Sequence, residues 1–344
     1  MRLACAIALS CCCACSAADP APQRGAIVER ARVSMGSELR VTVWTADSAG
    51  GARTIGVLFA EFDRLEALMS VWKPGSDVER INAAAGDRAV PTTDEVRSVL
   101  RTAAQISEWT GGKFDVTFGV LSGLWRFDHD QDNRLPDMDD VRRRLPLIDY
   151  RSLVVDDPAG SAFLKKKGMR VNLGGIGKGY AIDRGVEILR RNGFSNFMIQ
   201  AGGDLFVSGL KDGRPWRVGI QDPRGAAGRI FAAIDLTNST FSTSGDYERS
   251  FVKDGRRYHH IIDPETGAPS QAGCRSVTIL TTTAVLADGL STGVFLLGPE
   301  KGMALVRRLA NVDAVIVTAK NEVLMTPRLK DRLSLVAPPT DAPF

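Results

Sequence analysis

Histidine and cysteine are scarce where they would matter most in this 344-residue chain. There are three histidines and six cysteines, and five of the cysteines fall within the first eighteen residues. The body keeps only Cys274, so no internal disulfide framework can hold the fold. Stability must come from an apolar core, which a chain of this length can build. Charge of one sign is also missing. Forty-four Lys and Arg face forty Asp and Glu, a net of +4, which argues against a dedicated nucleic-acid binder with its basic face. No segment of the body has 18 consecutive uncharged apolar residues, so a membrane-embedded domain is not expected. Thirty-four glycines follow no three-residue period, and 44% of residues are hydrophobic. Collagen and intrinsic disorder are therefore excluded.

The first eighteen residues, MRLACAIALSCCCACSAA, have their own character. One basic residue, Arg2, precedes about a dozen apolar or small residues and then a small-residue stretch, the build of a secretory signal. Leu9-Ser10-Cys11-Cys12 has the form of a lipoprotein signal, with Cys13 and Cys15 as further candidates; Ser16-Ala17-Ala18 could instead serve ordinary cleavage. The expectation is an exported, lipid-anchored, periplasmic protein, with residues 1–18 as signal, 19–31 as tether and 32–340 as one catalytic unit.

Along the body, Val33 to Val43 reads as a strand. Ile55, Leu58, Phe62, Leu65 and Met69 recur at helical spacing. A second helix is expected from Thr92, with Glu95 completing a capping box, and it stops at Gly111-Gly112. Asp137 to Leu145 predicts a short helix. Val171–Leu173 predicts a strand entering a glycine turn, followed by a helix from Tyr180 to Arg191. Strand-like runs follow at Phe197–Gln200, Leu205–Val207, Trp216–Ile220, Ile230–Leu236, Arg257–Ile262 and Ser276–Thr281. Ala284–Leu297 predicts a helix ending at Gly298, Pro299 opens another, and Val312–Val317 with Glu322–Met325 predicts a closing hairpin. Strands and helices cluster rather than alternate. The fold class expected is α+β, a mixed but largely antiparallel sheet with packed helices.

Four features could carry chemistry. Gly174-Gly175-Ile176-Gly177-Lys178-Gly179 should present backbone N–H groups, a helix N-terminus and a positive charge to an anion. It matches neither standard phosphate motif, and a tight strand–helix turn with a solvent lysine would read the same way. Asp288 and Thr292 lie four apart on one helix face, a carboxylate and a hydroxyl suited to a hard cation such as Mg²⁺, or a plain surface pair. His259 and His260 point to opposite faces if the run is extended, so one can face a site as general base; a structural histidine is the alternative. Asp128, Asp130, Asp132 and Asp139 resemble part of a calcium loop, but Asn133 replaces its glycine and Asp139 its glutamate. That segment reads better as a solvated acidic turn. Met69, Trp72 and Trp109 read as core, and Trp72, just past a helix, could also stack on an aromatic ligand.

Together these segments resemble the ApbE family of FAD:protein FMN transferases. Eight blocks match in order: Met35-Gly36-Ser37; Met69 to Trp72 leading to Arg80-Ile81-Asn82; Gly112 to Thr117 leading to Leu124-Trp125; Asn172 to Asp183; Ala201 to Asp204; Ser244 to Arg249; His259 to Pro269; and Ala287 to Gly298. The resemblance implies transfer of FMN from FAD to a Thr or Ser hydroxyl of a target protein, releasing AMP, with Mg²⁺ required. It implies Asp288, Thr292 and the Gly175 carbonyl as metal ligands and His260 as catalytic. It implies FAD contacts at Met35, Trp72, Lys113, Phe114, Asp115, Asn172, Lys178 and Ile262. The acceptor it implies is a flavin-carrying redox protein of the membrane. The chain departs from the family in having Trp72 where a tyrosine is often near, and Asn172 where an aspartate often stands. Two other activities are compatible with such a site: an FAD pyrophosphatase yielding FMN and AMP, and an anchored, non-catalytic flavin-binding protein.

Overall fold

The computed structural model describes residues 25–127 and 130–343. The expected signal, the tether up to residue 24 and Asp128 lie outside them. The tether expectation ends early, because Ala26–Ser34 is a strand. The single strand expected over Val33–Val43 is also corrected. Ala26–Ser34 pairs with Ser37–Thr45 as an antiparallel hairpin, turning at Met35 (φ +49°) and Gly36 (φ +73°). Two successive positive φ values are what a two-residue hairpin turn demands, and hydrophobic alternation alone does not reveal that a methionine fills one of them.

The main sheet has eight strands standing side by side in chain order. They are Ala26–Ser34, Ser37–Thr45, Phe197–Ala201, Asp204–Ser208, Ser239–Gly245, Cys274–Thr281, Asp313–Thr318 and Val323–Met325. Each is antiparallel to its neighbour, which gives the α+β fold with a large antiparallel sheet that was expected. Apart from the C-terminal segment after Met325, which adds the strand Leu333–Leu335 to a second sheet, the rest is excursions between adjacent strands. Between the second and third come five helices: α1 (Ser48–Met69), α2 (Asp77–Ala83), α3 (Asp94–Trp109), α4 (Met138–Arg144) and α5 (Gly177–Arg191). Between the sixth and seventh come α6 (Ala284–Leu297) and α7 (Pro299–Arg308).

Alternation along the strands assigns the two faces. Phe197, Ile199, Phe206, Val277, Ile279, Ala314 and Ile316 face the helices, where α1, α3, α5 and α6 supply Leu58, Phe62, Leu100, Ile182 and Leu290. Leu205, Val207, Phe241, Leu280, Val315 and Val317 face a three-stranded sheet of Trp216–Gln221, Ile230–Leu236 and Leu333–Leu335. Both faces of the central strands are buried, which is why they read as near-continuous apolar runs.

Other boundaries move for local reasons. Helix α3 is capped by Thr93, whose hydroxyl accepts from Val96 N–H at 3.4 Å, so the capping box expected from Thr92 and Glu95 does not form. Val171–Leu173 is extended but joins no ladder; only Arg170 makes a bridge, to Phe118. Arg257–Ile262 is broken, with one strand ending at His259 and another starting at Ile262.

Ile279 is fully buried at the centre of the larger core. Ile279→Ala is expected to cost about 2–5 kcal/mol, read as a lowered midpoint in chemical denaturation.

Candidate active site

A cavity of about 510 Å³ opens where the carboxyl end of Ser239–Gly245, the first turn of α5 and the middle of α6 meet. That volume lies within the ~300–1,000 Å³ range of small-molecule pockets. The helix α5 begins at Gly177, not at Tyr180, so Lys178 stands in its first turn. The N-cap residue Ile176 offers no capping side chain. The Gly179 amide is taken by Asp288 at 2.9 Å and the Gly177 amide by Leu173 O at 2.8 Å, so Lys178 and the positive end of the helix dipole supply the charge at the cavity wall.

Lys178 sits between two carboxylates. Its Nζ is 2.6 Å from Asp204 and 3.5 Å from Asp288. Asp204 enters from the start of its strand, while Asp288 is on α6. Both carboxylates are buried. These neighbours hold the Lys178 ammonium well above its ordinary value, against the opposing pull of burial. Burial and the Asp204 charge push the Asp288 carboxyl up, while Lys178 and the Gly179 amide, at 2.9 Å, oppose them. Both carboxylates are taken out of water here, and a bound cation would offset the cost of their charge.

A run of hydroxyls lies beside the triad. Ser242 Oγ donates to Asp204 and lies 3.2 Å from Ser291 Oγ. Ser244 Oγ lies 2.8 Å from Ser291 Oγ and 3.1 Å from Thr292 Oγ1. Thr292 therefore pairs across to the sheet, one turn along from Asp288. A Cβ built at Gly175 would stand 3.7 Å from Thr292 Oγ1, and Gly175, Thr292 and Asp288 all line the cavity. A carboxylate, a hydroxyl and a peptide segment form a hard-oxygen donor set that fits Mg²⁺. No cluster of three His, Cys, Asp or Glu able to hold a metal occurs among the described residues.

His260 lines the cavity on the bend between two short strands. Its backbone N–H donates to Arg249 O at 3.0 Å. Burial first, then the positive charges of Arg249 and Lys178, push the imidazole down to about 3. It is therefore neutral at physiological pH, and its Nδ1 is buried with no hydrogen-bond partner among the described residues. His259 turns the other way, with Nε2 3.1 Å from Ser270 O and its ring edge-on to Phe295. It is structural.

The remaining expected contacts divide. Trp72, half exposed, stands at the mouth, and Phe114 and Ile262 supply buried apolar wall. Lys113 is pinned by Asp263 (2.9 Å) and Glu265 (2.8 Å). The Asp115 carboxylate is taken up by Thr117 (2.8 and 2.6 Å) and the Tyr150 amide (2.8 Å). These two line the cavity yet spend their charge on holding its loops. Asn172 Oδ1 accepts from Gly174 N–H at 2.8 Å, shaping the glycine turn. Met35 lies at the hairpin tip and packs on the core, and its neighbours Gly36 to Glu38 reach the cavity instead. Sequence reasoning gave no role to Asp204, Ser242, Ser244 or Trp125. Trp125 lines the cavity and donates from Nε1 to Gly267 O at 2.7 Å.

The fold and cavity define an α+β protein with a cleft that gathers Lys178, Asp204, Asp288, Thr292 and His260. The ApbE family profile matches residues 35–316, and the chain belongs to that family. It is similar to an FAD:protein FMN transferase of Klebsiella pneumoniae (strain 342), 34% identical over 278 residues, covering 80% of this chain and 79% of that protein. A second, from Treponema pallidum (strain Nichols), is 31% identical over 322 residues and 89% of each chain. The crystal structure of the ApbE protein of Thermotoga maritima superposes with a TM-score of 0.82 at 31% identity, over 89% of this chain and 99% of that one.

Two outcomes are expected. A Cβ on Gly179 would lie 2.3 Å from Ala284 O and 2.8 Å from Asp288 Cβ. Gly179→Ala must therefore force α5 and α6 apart, and overpacking of this kind costs about 1–3 kcal/mol, read by urea unfolding. The second concerns pH. The unfolded imidazole takes up its proton near 6.5 and the folded His260 only near 3. The unfolded state thus binds more protons in between, and this group's contribution to stability is full above about 6.5 and lost as pH falls toward 3. An imidazole NMR titration of the substrate-free protein is expected to leave His260 neutral at pH 5.

Proposed function

We propose that this protein transfers FMN from FAD to a Thr or Ser hydroxyl of an acceptor protein, releasing AMP. The observation that carries the reading is the convergence of a neutral, buried His260, the Asp204–Lys178–Asp288 triad and the Thr292 hydroxyl on one cavity. The names of the similar proteins support it.

The bond broken is that between the FMN-side phosphorus and the AMP oxygen; the bond formed joins that phosphorus to the acceptor hydroxyl oxygen. His260 takes the hydroxyl proton, and AMP leaves with the electrons of the broken bond. Such reactions depend mainly on positioning and on neutralising charge. Lys178 and the positive end of the α5 dipole would offset charge on the pyrophosphate. Asp288, Thr292 and Gly175 would hold Mg²⁺, which when bound supplies Lewis-acid neutralisation of the pyrophosphate and its leaving group. Trp72 and Phe114 offer flat apolar surface for ring systems. A neutral histidine is required here, since an imidazolium cannot accept the proton.

The export and lipid anchoring read from residues 1–18 form part of the proposal. They would put the enzyme in the compartment of a membrane redox acceptor, and no helix among the described residues is long and apolar enough to cross a membrane.

His260→Ala is expected to bind FAD as the wild type does and to lose transfer by about 10²-fold or more. Asp288→Ala is expected to lose the dependence of turnover on added Mg²⁺ together with turnover. Equal flavinylation by either variant and the wild type contradicts the role given to that residue.

A further inference from the structure

The segment after the matched family region ends in contacts that close on the active site. Thr340 lies 24 residues beyond residue 316, where the family match stops. Its backbone N–H donates to both Asp222 carboxylate oxygens (3.1 and 3.0 Å), and its hydroxyl donates to Oδ2 at 2.7 Å. The Asp222 side chain is fully buried. It also accepts the Arg224 N–H at 3.0 Å, which turns the loop so that the Arg224 guanidinium grips Asp246 through two bonds of 2.6 and 2.7 Å. Asp246 in turn donates its N–H to Arg275 O at 3.0 Å, and Arg275 Nη1 donates to Thr340 O at 3.3 Å. The circuit Thr340, Asp222, Arg224, Asp246, Arg275 and back to Thr340 is closed.

Asp246 is where this ring meets the chemistry. It directly follows the strand that carries Ser244, the partner of Thr292. Three residues further on, Arg249 O receives the His260 N–H. The backbone from Ser244 to Arg249 thus spans the cation face and the base, and a buried bidentate pair fixes its position. We propose that Thr340 is a positioning residue of the active site, acting through Asp222 and the Arg224–Asp246 pair to set the Ser244–Arg249 segment and, with it, His260. The C-terminal segment outside the family profile is then part of the catalytic unit and not a trailing end.

This inference rests on the proposed transfer only for its kinetic readout, so a second readout is independent of activity. The full-length chain is compared with Thr340→Pro, which removes both the N–H and the hydroxyl, and with Thr340→Ser, which keeps both. With FAD, Mg²⁺ and an acceptor protein at 25 °C, Thr340→Pro is expected to lower kcat about ten-fold, the scale of a small misplacement of a reacting group. The KM for FAD is expected to stay within about two-fold, and Thr340→Ser to restore the wild-type kcat. Without substrate, the amide NMR signals of Ser244, Gly245 and Asp246 are expected to shift in Thr340→Pro alone. If Thr340→Pro does not fold, Thr340→Val, which loses only the 2.7 Å bond, carries the same comparison with a smaller expected drop. Unchanged amide signals, or a wild-type kcat with only a lowered unfolding midpoint, overturn the proposal. Shifted amides in a protein without transfer activity would uphold the coupling and count against the transfer reading instead.

Discussion

The buried ammonium of Lys178, shared between Asp204 and Asp288, is the interaction on which the site depends. Removing a lysine from water without partners is prohibitive, and two carboxylates side by side are no better. Each group is tolerable only because the others are there. To bring them together, the first turn of α5, the start of one strand and the middle of α6 must meet at hydrogen-bond distance. Gly179 makes that possible, since any side chain there would strike the α6 backbone. Asp183, one turn further along α5, ties the same two helices by accepting the Ala284 and Val285 amides at 2.8 and 2.9 Å.

The sheet serves this arrangement through its simple order. With the eight strands laid side by side in chain sequence, the central ones are buried on both faces. The cavity is then walled by turns and excursions at their ends, in keeping with the general placement of chemistry on loops held by a rigid scaffold. The strand Ser239–Gly245 is the exception, because it sends hydroxyls inward. Ser242 and Ser244 lie two apart and so point the same way, toward α6, where Ser291 and Thr292 answer them.

That exception explains what the sequence hid. The apolar strands, the amphipathic α1 and α3, and the α6–Gly298–Pro299 junction were legible because burial imposes periodicity. STFSTSG has almost none, since its inward face contacts polar partners and Phe241 alone marks the outer one. No strand is expected there from pattern alone, and Asp204, its partner, had no role without it. His260 was legible as a candidate from adjacency, but alternation does not forecast that one strand ends at His259 and leaves His260 on a bend facing the cavity. Lys113 and Asp115 were legible as site residues by resemblance. Their charges turn out to be engaged by Asp263, Glu265, Thr117 and the Tyr150 amide, partners that only the fold brings near. The ring through Thr340 was invisible for the same reason, with its members up to 118 residues apart.

Placed in the ApbE family, the proposed transfer is one in which positioning and charge neutralisation would do most of the work, with His260 as the proposed base. The most direct measurement is the fate of the flavin phosphate. The protein is incubated with FAD, Mg²⁺ and an acceptor bearing an accessible Thr or Ser segment, and covalently bound FMN is quantified by mass spectrometry against free FMN. The account predicts FMN on the acceptor hydroxyl with an equal amount of AMP released. Free FMN and AMP with an unmodified acceptor, or FAD left intact, would contradict it.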